Sequence, residues 1–145
     1  MIAKDLRRLS KLYVKVLALH LPPPHTEYMA EAMLFISGSA GCMKQRQLVD
    51  FMEVDRRSLM PMLKELLDIG YLLATEDPEC RNEYLFSLAE NGKKVMPQIH
   101  EAVSAAEKII EEKLGESRLS LFKKEMVQIE VSLKSKLLGY EFKKP

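Results

Sequence analysis

The sequence predicts a mainly α-helical protein with a small β-hairpin, and three observations lead to this prediction. Residues 71–75 and 83–88 are short aliphatic and aromatic runs of strand length, separated by a charged loop. Over most of the remaining chain, apolar residues recur every three or four positions, as in amphipathic helices. Two of these helices, 45–52 and 56–69, are separated only by a tight turn. This order of elements predicts a winged helix-turn-helix, in which the hairpin is the wing.

Composition favours a single compact protein. The chain has 145 residues, of which 47% are hydrophobic, and a formal net charge of only +1. It contains two cysteines, Cys42 and Cys80, without a CxxC motif, which predicts a reducing compartment and no structural zinc. We expect Cys42 to be buried. The N-terminus is no secretory signal, and no apolar run approaches the roughly 18 residues that span a bilayer. A cytoplasmic protein without membrane contact is therefore predicted.

The N-terminal part of the chain predicts two helices. The first, residues 4–20, has an apolar stripe and a basic opposite side, and the three prolines at 22–24 end it. The second, residues 25–37, is apolar on most sides, which predicts a central buried helix.

The predicted helix-turn-helix has local signals at both ends of its second helix. Asp55 is a suitable N-cap before residues 56–69, because its carboxylate accepts hydrogen bonds from free amides of the first turn. Gly70 suits the position after the last turn. The residues of the inner stripe are Leu59, Leu63, Leu66 and either Ile69 or Leu67.

Two long helices are predicted after the hairpin, at 89–113 and 117–138. The second carries a narrow seam of coiled-coil type, formed by Leu119, Phe122, Met126, Ile129, Leu133 and Leu137. A single small core does not require two such arms, so we expect a homodimer. Residues 1–24 and 95–145 are predicted as N- and C-terminal helical dimerisation arms around a winged helix-turn-helix lobe, residues 25–94.

The segment DPECRNEYLFSLAENGKKV at 77–95 resembles that of the MarR-type transcriptional regulators, the multiple-antibiotic-resistance regulators. Their wing typically reads Asp-Pro-x-Asp-Arg-Arg, followed by a strand and then Ser-Leu-Thr-x-x-Gly. The matching positions here are Asp77, Pro78, Arg81, Ser87, Leu88 and Gly92. The resemblance implies a dimeric repressor that binds double-stranded DNA at an inverted repeat, with a small-molecule effector as a further possibility.

The sequence departs from this pattern in the wing and in the second helix. Cys80 and Asn82 replace the second Asp and the second Arg, which removes an Asp–Arg pair that often braces the wing. Met60 and Pro61 stand where polar residues are usual, and Met cannot make bidentate contacts with a base. Pro61 must either kink the helix or make residues 56–60 a separate turn. We therefore expect weak sequence specificity.

Basic residues of this lobe are the candidates for DNA contact. The predicted DNA-binding residues are Lys44, Arg46, Arg56, Arg57, Ser58 and Arg81. Arg81 at the wing tip suits a narrow minor groove, and the others suit phosphate or the major groove. Ordinary surface charge is the alternative for Arg56, Arg57 and Arg81, and a structural ion pair is a further alternative for Arg56.

The resemblance also implies a ligand pocket, for which Tyr28, Met29, Met33 and Phe35 are the candidates. Helical spacing alone does not distinguish such a pocket from core. The three histidines lie on separate elements without zinc-like spacing, so neither a metal nor another cofactor is predicted. The chain has no phosphate-binding loop and no nucleophile motif, so we do not expect an enzyme.

A different class of function stays open. Residues 44–94 carry eight Lys and Arg against ten Asp and Glu, a local charge of −2. An apolar patch of Met60, Pro61, Leu67 and Phe51 on the face that normally meets DNA would suit a protein partner. The alternative is therefore a winged-helix protein-interaction module with lost or weak sequence-specific DNA binding.

Overall fold

The computed structural model describes the backbone of residues 1–143 and the side chains of residues 1–140. The last two residues of the predicted arm 95–145 lie outside this range. In chain order the elements are α1 (Ile2–Ala18), α2 (Glu27–Gly38), β1 (Met43–Lys44), α3 (Gln45–Met52), α4 (Arg56–Asp68), β2 (Leu72–Glu76), β3 (Tyr84–Leu88), α5 (Glu90–Leu114) and α6 (Glu116–Lys143). The predicted fold class, mainly α with a β-hairpin wing, is confirmed.

The second helix of the helix-turn-helix excludes one of the two alternatives for Pro61. α4 is one continuous helix from Arg56, with Pro61 inside it, so residues 56–60 are not a separate turn. Asp55 caps it as expected, since its Oδ1 accepts a hydrogen bond from the Ser58 amide at 2.8 Å. Gly70 follows its end with a φ of +81°, a conformation that glycine adopts without a steric penalty.

The hairpin is part of a three-stranded antiparallel sheet with the order β1-β3-β2. Leu72 pairs with Leu88 and Glu76 with Tyr84 across the hairpin. On the other side of β3, Met43 pairs with Phe86, so the start of α3 is fixed beside the wing.

The core surrounds α2, as its apolar composition predicts, and takes in the inner stripe of α4. Five residues of α2 are buried, and Phe86 of β3 is the largest fully buried side chain. Thr26 caps α2 by accepting from the Met29 amide at 3.2 Å. The expectation for Cys42 is wrong: it is exposed, because it lies in the loop before β1 rather than within the strand.

The chain divides into two compact units, Met1–Ala106 and Glu107–Pro145. The first contains the sheet, the helix-turn-helix and the buried core. The second contains the end of α5 and the whole of α6, whose apolar residues are largely exposed. The predicted division into dimerisation arms and a lobe at 25–94 concerns function rather than packing, and it stays a prediction.

A close approach of two backbones makes Gly92 necessary in the first turn of α5. A Cβ atom built on Gly92 would lie 2.0 Å from the carbonyl oxygen of Tyr71, just before β2. The same carbonyl accepts a hydrogen bond from the Ala89 amide at 2.9 Å, which joins the end of the hairpin to its beginning. Only glycine therefore lets α5 leave the wing at this angle.

We expect Gly92→Ala to lower the free energy of unfolding by about 1–3 kcal/mol, the usual cost of overpacking. Chemical denaturation followed by circular dichroism measures this loss. Gly38→Ala is the matched control, because a Cβ there meets nothing within 4 Å. Equal stability of the two variants would contradict the packing argument.

Candidate nucleic-acid interface

The first turn of α4 carries three of the predicted DNA-binding residues. Arg56, Arg57 and Ser58 follow the Asp55 cap directly and have exposed side chains. Leu59 and Leu63 point into the core, which leaves the opposite side of the helix, with Arg57 and Pro61, open to solvent. A binding partner that lies along α4 therefore meets Arg57 near its amino end.

The guanidinium group of Arg56 has a partner inside the protein. Gln45 is buried at the start of α3. With its amide oxygen turned toward Arg56, it accepts hydrogen bonds from Nε and Nη2, each at 3.1 Å. Arg56 thus joins the amino ends of α3 and α4, a structural role close to the ion pair considered for it from the sequence.

The loop between β2 and β3, here called the wing loop, is held in shape by hydrogen bonds among its own residues. The Asp77 amide donates to the Glu83 carbonyl at 3.0 Å, and the Cys80 amide donates to the Asp77 carbonyl at 3.3 Å. Asp77 Oδ1 also accepts from the Glu79 amide at 2.9 Å. Asn82 has a φ of +68°, which Asn tolerates better than most residues. These contacts give the loop a defined shape that ends with Arg81 exposed.

Lys44 ties the wing to the start of α3. Its Nζ lies 2.9 Å from Glu79 Oε2 and 3.8 Å from Asp77 Oδ2. The Asp77 side chain is only 2% exposed. The hydrogen bond to Glu79 and the nearby Asp77 carboxylate raise the pKa of Lys44, so the ammonium stays charged. This contact braces the wing against the start of α3.

Arg46 also faces an acidic residue of the wing. Its Nη2 lies 3.5 Å from Oε2 of Glu83, the residue before β3. That oxygen is shielded from solvent and accepts no hydrogen bond within the described residues, so Arg46 is its nearest positive charge.

The predicted cations therefore fall into two groups. Lys44, Arg46 and Arg56 have partners inside the lobe. In the part of the chain that the structure describes, Arg57 and Arg81 have neither an ion pair nor a side-chain hydrogen bond, and both are exposed. Of the predicted cations, these two are free to bind an anion.

An apolar groove runs between α4 and the hairpin. Its volume is about 440 Å³, and it is lined by Met60, Pro61, Leu63, Lys64, Leu67, Ala74, Tyr84 and Phe86. Three of the four residues in the predicted apolar patch thus lie together. Phe51 does not line this groove and instead stacks on Phe35, with ring centroids 5.5 Å apart.

The four candidate pocket residues are distributed differently. Met29 and Met33 are fully buried in the core, Phe35 is half-buried, and Tyr28 is 43% exposed. A second cavity of about 490 Å³ lies beside α5 and is lined by His20, Gln98, Glu101, Ala102 and Ala105. Neither cavity contains the predicted pocket residues, so a pocket at those positions stays a prediction.

Two further findings apply to the described residues. They include no cluster of three or more His, Cys, Asp or Glu side chains arranged to hold a metal ion. None of their helices has the length and apolar character needed to cross a membrane.

Sequence reasoning missed the contacts made by four residues of this site: Gln45, Asp77, Glu79 and Glu83. Asp77 entered only as a position of the wing motif, and the two glutamates entered only as local negative charge. The acidic residues of the wing are evident in the sequence, but their basic partners lie about 35 positions away along the chain. The pairing of β1 with β3 brings them together.

Comparisons with known proteins identify the fold. No protein-family model matches the sequence, and no curated protein is significantly similar to it. Among solved structures, a probable transcriptional regulator from Pseudomonas aeruginosa superposes with a TM-score of 0.80 at 18% identity, over 89% of this chain and 96% of that one.

Two further solved structures are described as complexes, one with operator DNA and one with a natural ligand. A mutant of MarR from E. coli complexed with operator DNA has a TM-score of 0.79 at 18% identity, over 88% of this chain and 92% of that chain. The PcaV transcriptional regulator from Streptomyces coelicolor, in complex with its natural ligand, has a TM-score of 0.78 at 16% identity, over 88% and 90%. The protein thus has the winged-helix fold of the MarR-type regulators.

We expect Asp77→Ala to lower the free energy of unfolding by about 1–3 kcal/mol, because the Glu79 amide and Lys44 both lose a charged partner. Hydrogen exchange of the wing amides should also become faster. Glu90→Ala is the control, since it removes an exposed pair with Lys93 and should change stability by less than about 0.5 kcal/mol. Unchanged hydrogen exchange of the wing amides in Asp77→Ala would contradict the bracing role of Asp77.

Proposed function

We propose that this protein is a DNA-binding transcriptional regulator, a dimeric repressor of an inverted-repeat operator. The observation that carries the proposal is the position of the two free cations. Arg57 lies on the second helix of the helix-turn-helix, and Arg81 lies on the wing. In helix-turn-helix proteins the second helix enters the major groove, so a cation at its amino end meets phosphate or a base edge.

In the proposed complex, α4 lies in the major groove and the wing lies along the adjacent minor groove. Two subunits would contact two half-sites about one helical turn apart. The likeness to a MarR structure complexed with operator DNA supports this arrangement, because 88% of the present chain superposes on it.

Most of the affinity in this proposal comes from the DNA backbone. Ser58 and Arg57 are the polar side chains of the first turn that remain open to a base. Met60 and Pro61 follow them and offer no side-chain hydrogen bond. Phosphate contacts carry no sequence information, so discrimination between operator and other DNA should be weak.

The apolar surface of the helical arms supports a homodimer. On α1, Ile2, Leu6, Leu9 and Leu12 are all more than half exposed. On α6, every seam residue except Leu119 is among the large exposed hydrophobic residues. Soluble monomers rarely leave apolar surface of this extent uncovered, and a second copy of the chain would cover it.

A small effector remains part of the proposal. The likeness to PcaV, described in complex with its natural ligand, supports it. The dimer would have two winged helix-turn-helix lobes, one from each subunit. A ligand that binds more tightly at one separation of these lobes would shift the population toward that arrangement and change DNA affinity. Tyr28, Met29, Met33 and Phe35 remain the proposed pocket.

One observation favours the alternative, a winged-helix module that binds a protein. The groove between α4 and the hairpin is apolar beside the helix that would otherwise contact bases. Three of the six predicted DNA-binding residues already have an ion-pair or hydrogen-bond partner within the lobe. If no duplex is bound at low salt, this alternative replaces the DNA-binding proposal.

DNA binding is tested with a labelled duplex at low salt, by fluorescence anisotropy. We expect Arg81→Ala and Arg57→Ala each to weaken binding by about 1–3 kcal/mol and to make the salt dependence of binding shallower. Arg118→Ala is the control, because it removes the same charge from the start of α6. Unchanged affinity in both variants would mean that neither arginine contacts DNA.

The dimer is tested by light scattering at micromolar concentration, where we expect twice the chain mass of 16.6 kDa. Ile129→Lys introduces a charge into the seam and should yield monomers. Ser132→Lys introduces the same charge outside the seam and should leave the mass unchanged. A monomer mass for the unaltered protein would exclude both the dimer and the two-half-site arrangement.

A further inference from the structure

Two of the ion pairs that join the wing to β1 and α3, those of Glu79 and Glu83, differ in the burial of their carboxylates. In the first pair, Glu79 Oε2 lies 2.9 Å from Lys44 Nζ, and the Glu79 side chain is 77% exposed. In the second pair, Glu83 lies 3.5 Å from Arg46, and its side chain is 24% exposed, with the contacting oxygen shielded from solvent. The two carboxylates therefore respond differently when the cation leaves.

An exposed carboxylate regains water when its partner is removed, so separation of Glu79 from Lys44 costs little. A shielded carboxylate that loses its partner stays as an uncompensated charge, so separation of Glu83 from Arg46 is more costly. Lys44 is thus the cation that can exchange its partner, and Arg46 is held. Lys44 also keeps Asp77 at 3.8 Å, which fixes the ammonium near the wing while the exchange takes place.

We infer that Glu79 competes with nucleic-acid phosphate for Lys44. This competition from a residue of the wing lowers the affinity of the interface for DNA. This inference rests on the proposed function. In the free protein Glu79 occupies Lys44. When a duplex binds, a phosphate oxygen replaces the carboxylate, and Glu79 turns into solvent. Glu79 is then an affinity-determining residue that does not itself contact DNA.

The electrostatics of the lobe agree with this exchange. Phosphate and Glu79 present the same kind of acceptor to Lys44, a charged oxygen. In the free protein, the hydrogen bond to Glu79 and the nearby Asp77 carboxylate raise the pKa of Lys44. Without Glu79, the cation would be available before DNA arrives.

The first experiment measures the dissociation constant of a labelled random-sequence duplex at low salt, by fluorescence anisotropy. We expect Glu79→Gln to bind about two- to fivefold more tightly than the unaltered protein, the range expected for the loss of one exposed pair. Glu101→Gln is the control, because it makes the same change in net charge on α5, beside His20. An equal gain in both variants would overturn the inference.

The second experiment repeats Glu79→Gln in a Lys44→Met background. If Glu79 acts through Lys44, the gain disappears there. If it persists, Glu79 merely repels DNA, and the inference is wrong. Thermal melts establish that the double variant folds, and Lys44→Gln takes the place of Lys44→Met if it does not.

A third measurement needs no substitution. The side-chain carboxyl carbon of Glu79 is followed by nuclear magnetic resonance during titration with the duplex. We expect its resonance to shift as the carboxylate leaves Lys44, while that of Glu101 stays in place. DNA binding without a shift at Glu79 would overturn the inference and leave the proposed function intact. If no duplex binds to any variant, the proposed function itself fails.

Discussion

The contact between Lys44 and Asp77 is the interaction on which the geometry of the lobe depends. It joins the wing loop, through an almost fully buried carboxylate, to the residue where β1 ends and α3 begins. The same carboxylate accepts from the Glu79 amide, so one side chain fixes both the shape of the loop and its attachment. A carboxylate removed from water needs such partners, because without them its burial is costly.

This bracing has a consequence for the surface that a binding partner meets. The acids that hold the wing in place also occupy Lys44 and Arg46, while Gln45 holds Arg56. Residues 44–94 carry a local charge of −2, and cations nevertheless stay free at Arg57 and Arg81. The positions of these few free cations, more than net charge, determine where this surface can bind an anionic partner.

The groove beside α4 shows that part of the same surface is apolar. Pro61 lies inside a continuous helix, although its ring removes one backbone hydrogen bond of the first turns. With Met60 and Leu67 it turns the side of α4 that faces the hairpin into an apolar wall. The protein thus combines a fold shared with known regulators and a second helix with little capacity for direct base contact.

The sequence by itself determined those features that depend on near neighbours in the chain. Hydrophobic spacing located the helices and strands, and Asp55 and Gly70 marked the two ends of α4, because caps and turns are satisfied within a few residues. It also singled out Gly92 by motif, although only the structure gave the reason, the Tyr71 carbonyl. The exposure of Cys42 could not be predicted, and the sequence left open whether α4 continues through Pro61, because burial and helix continuity depend on surrounding packing. The ion pairs of Lys44 and Arg46 were equally inaccessible: their partners lie about 35 positions away, and only the pairing of β1 with β3 brings the charges into contact.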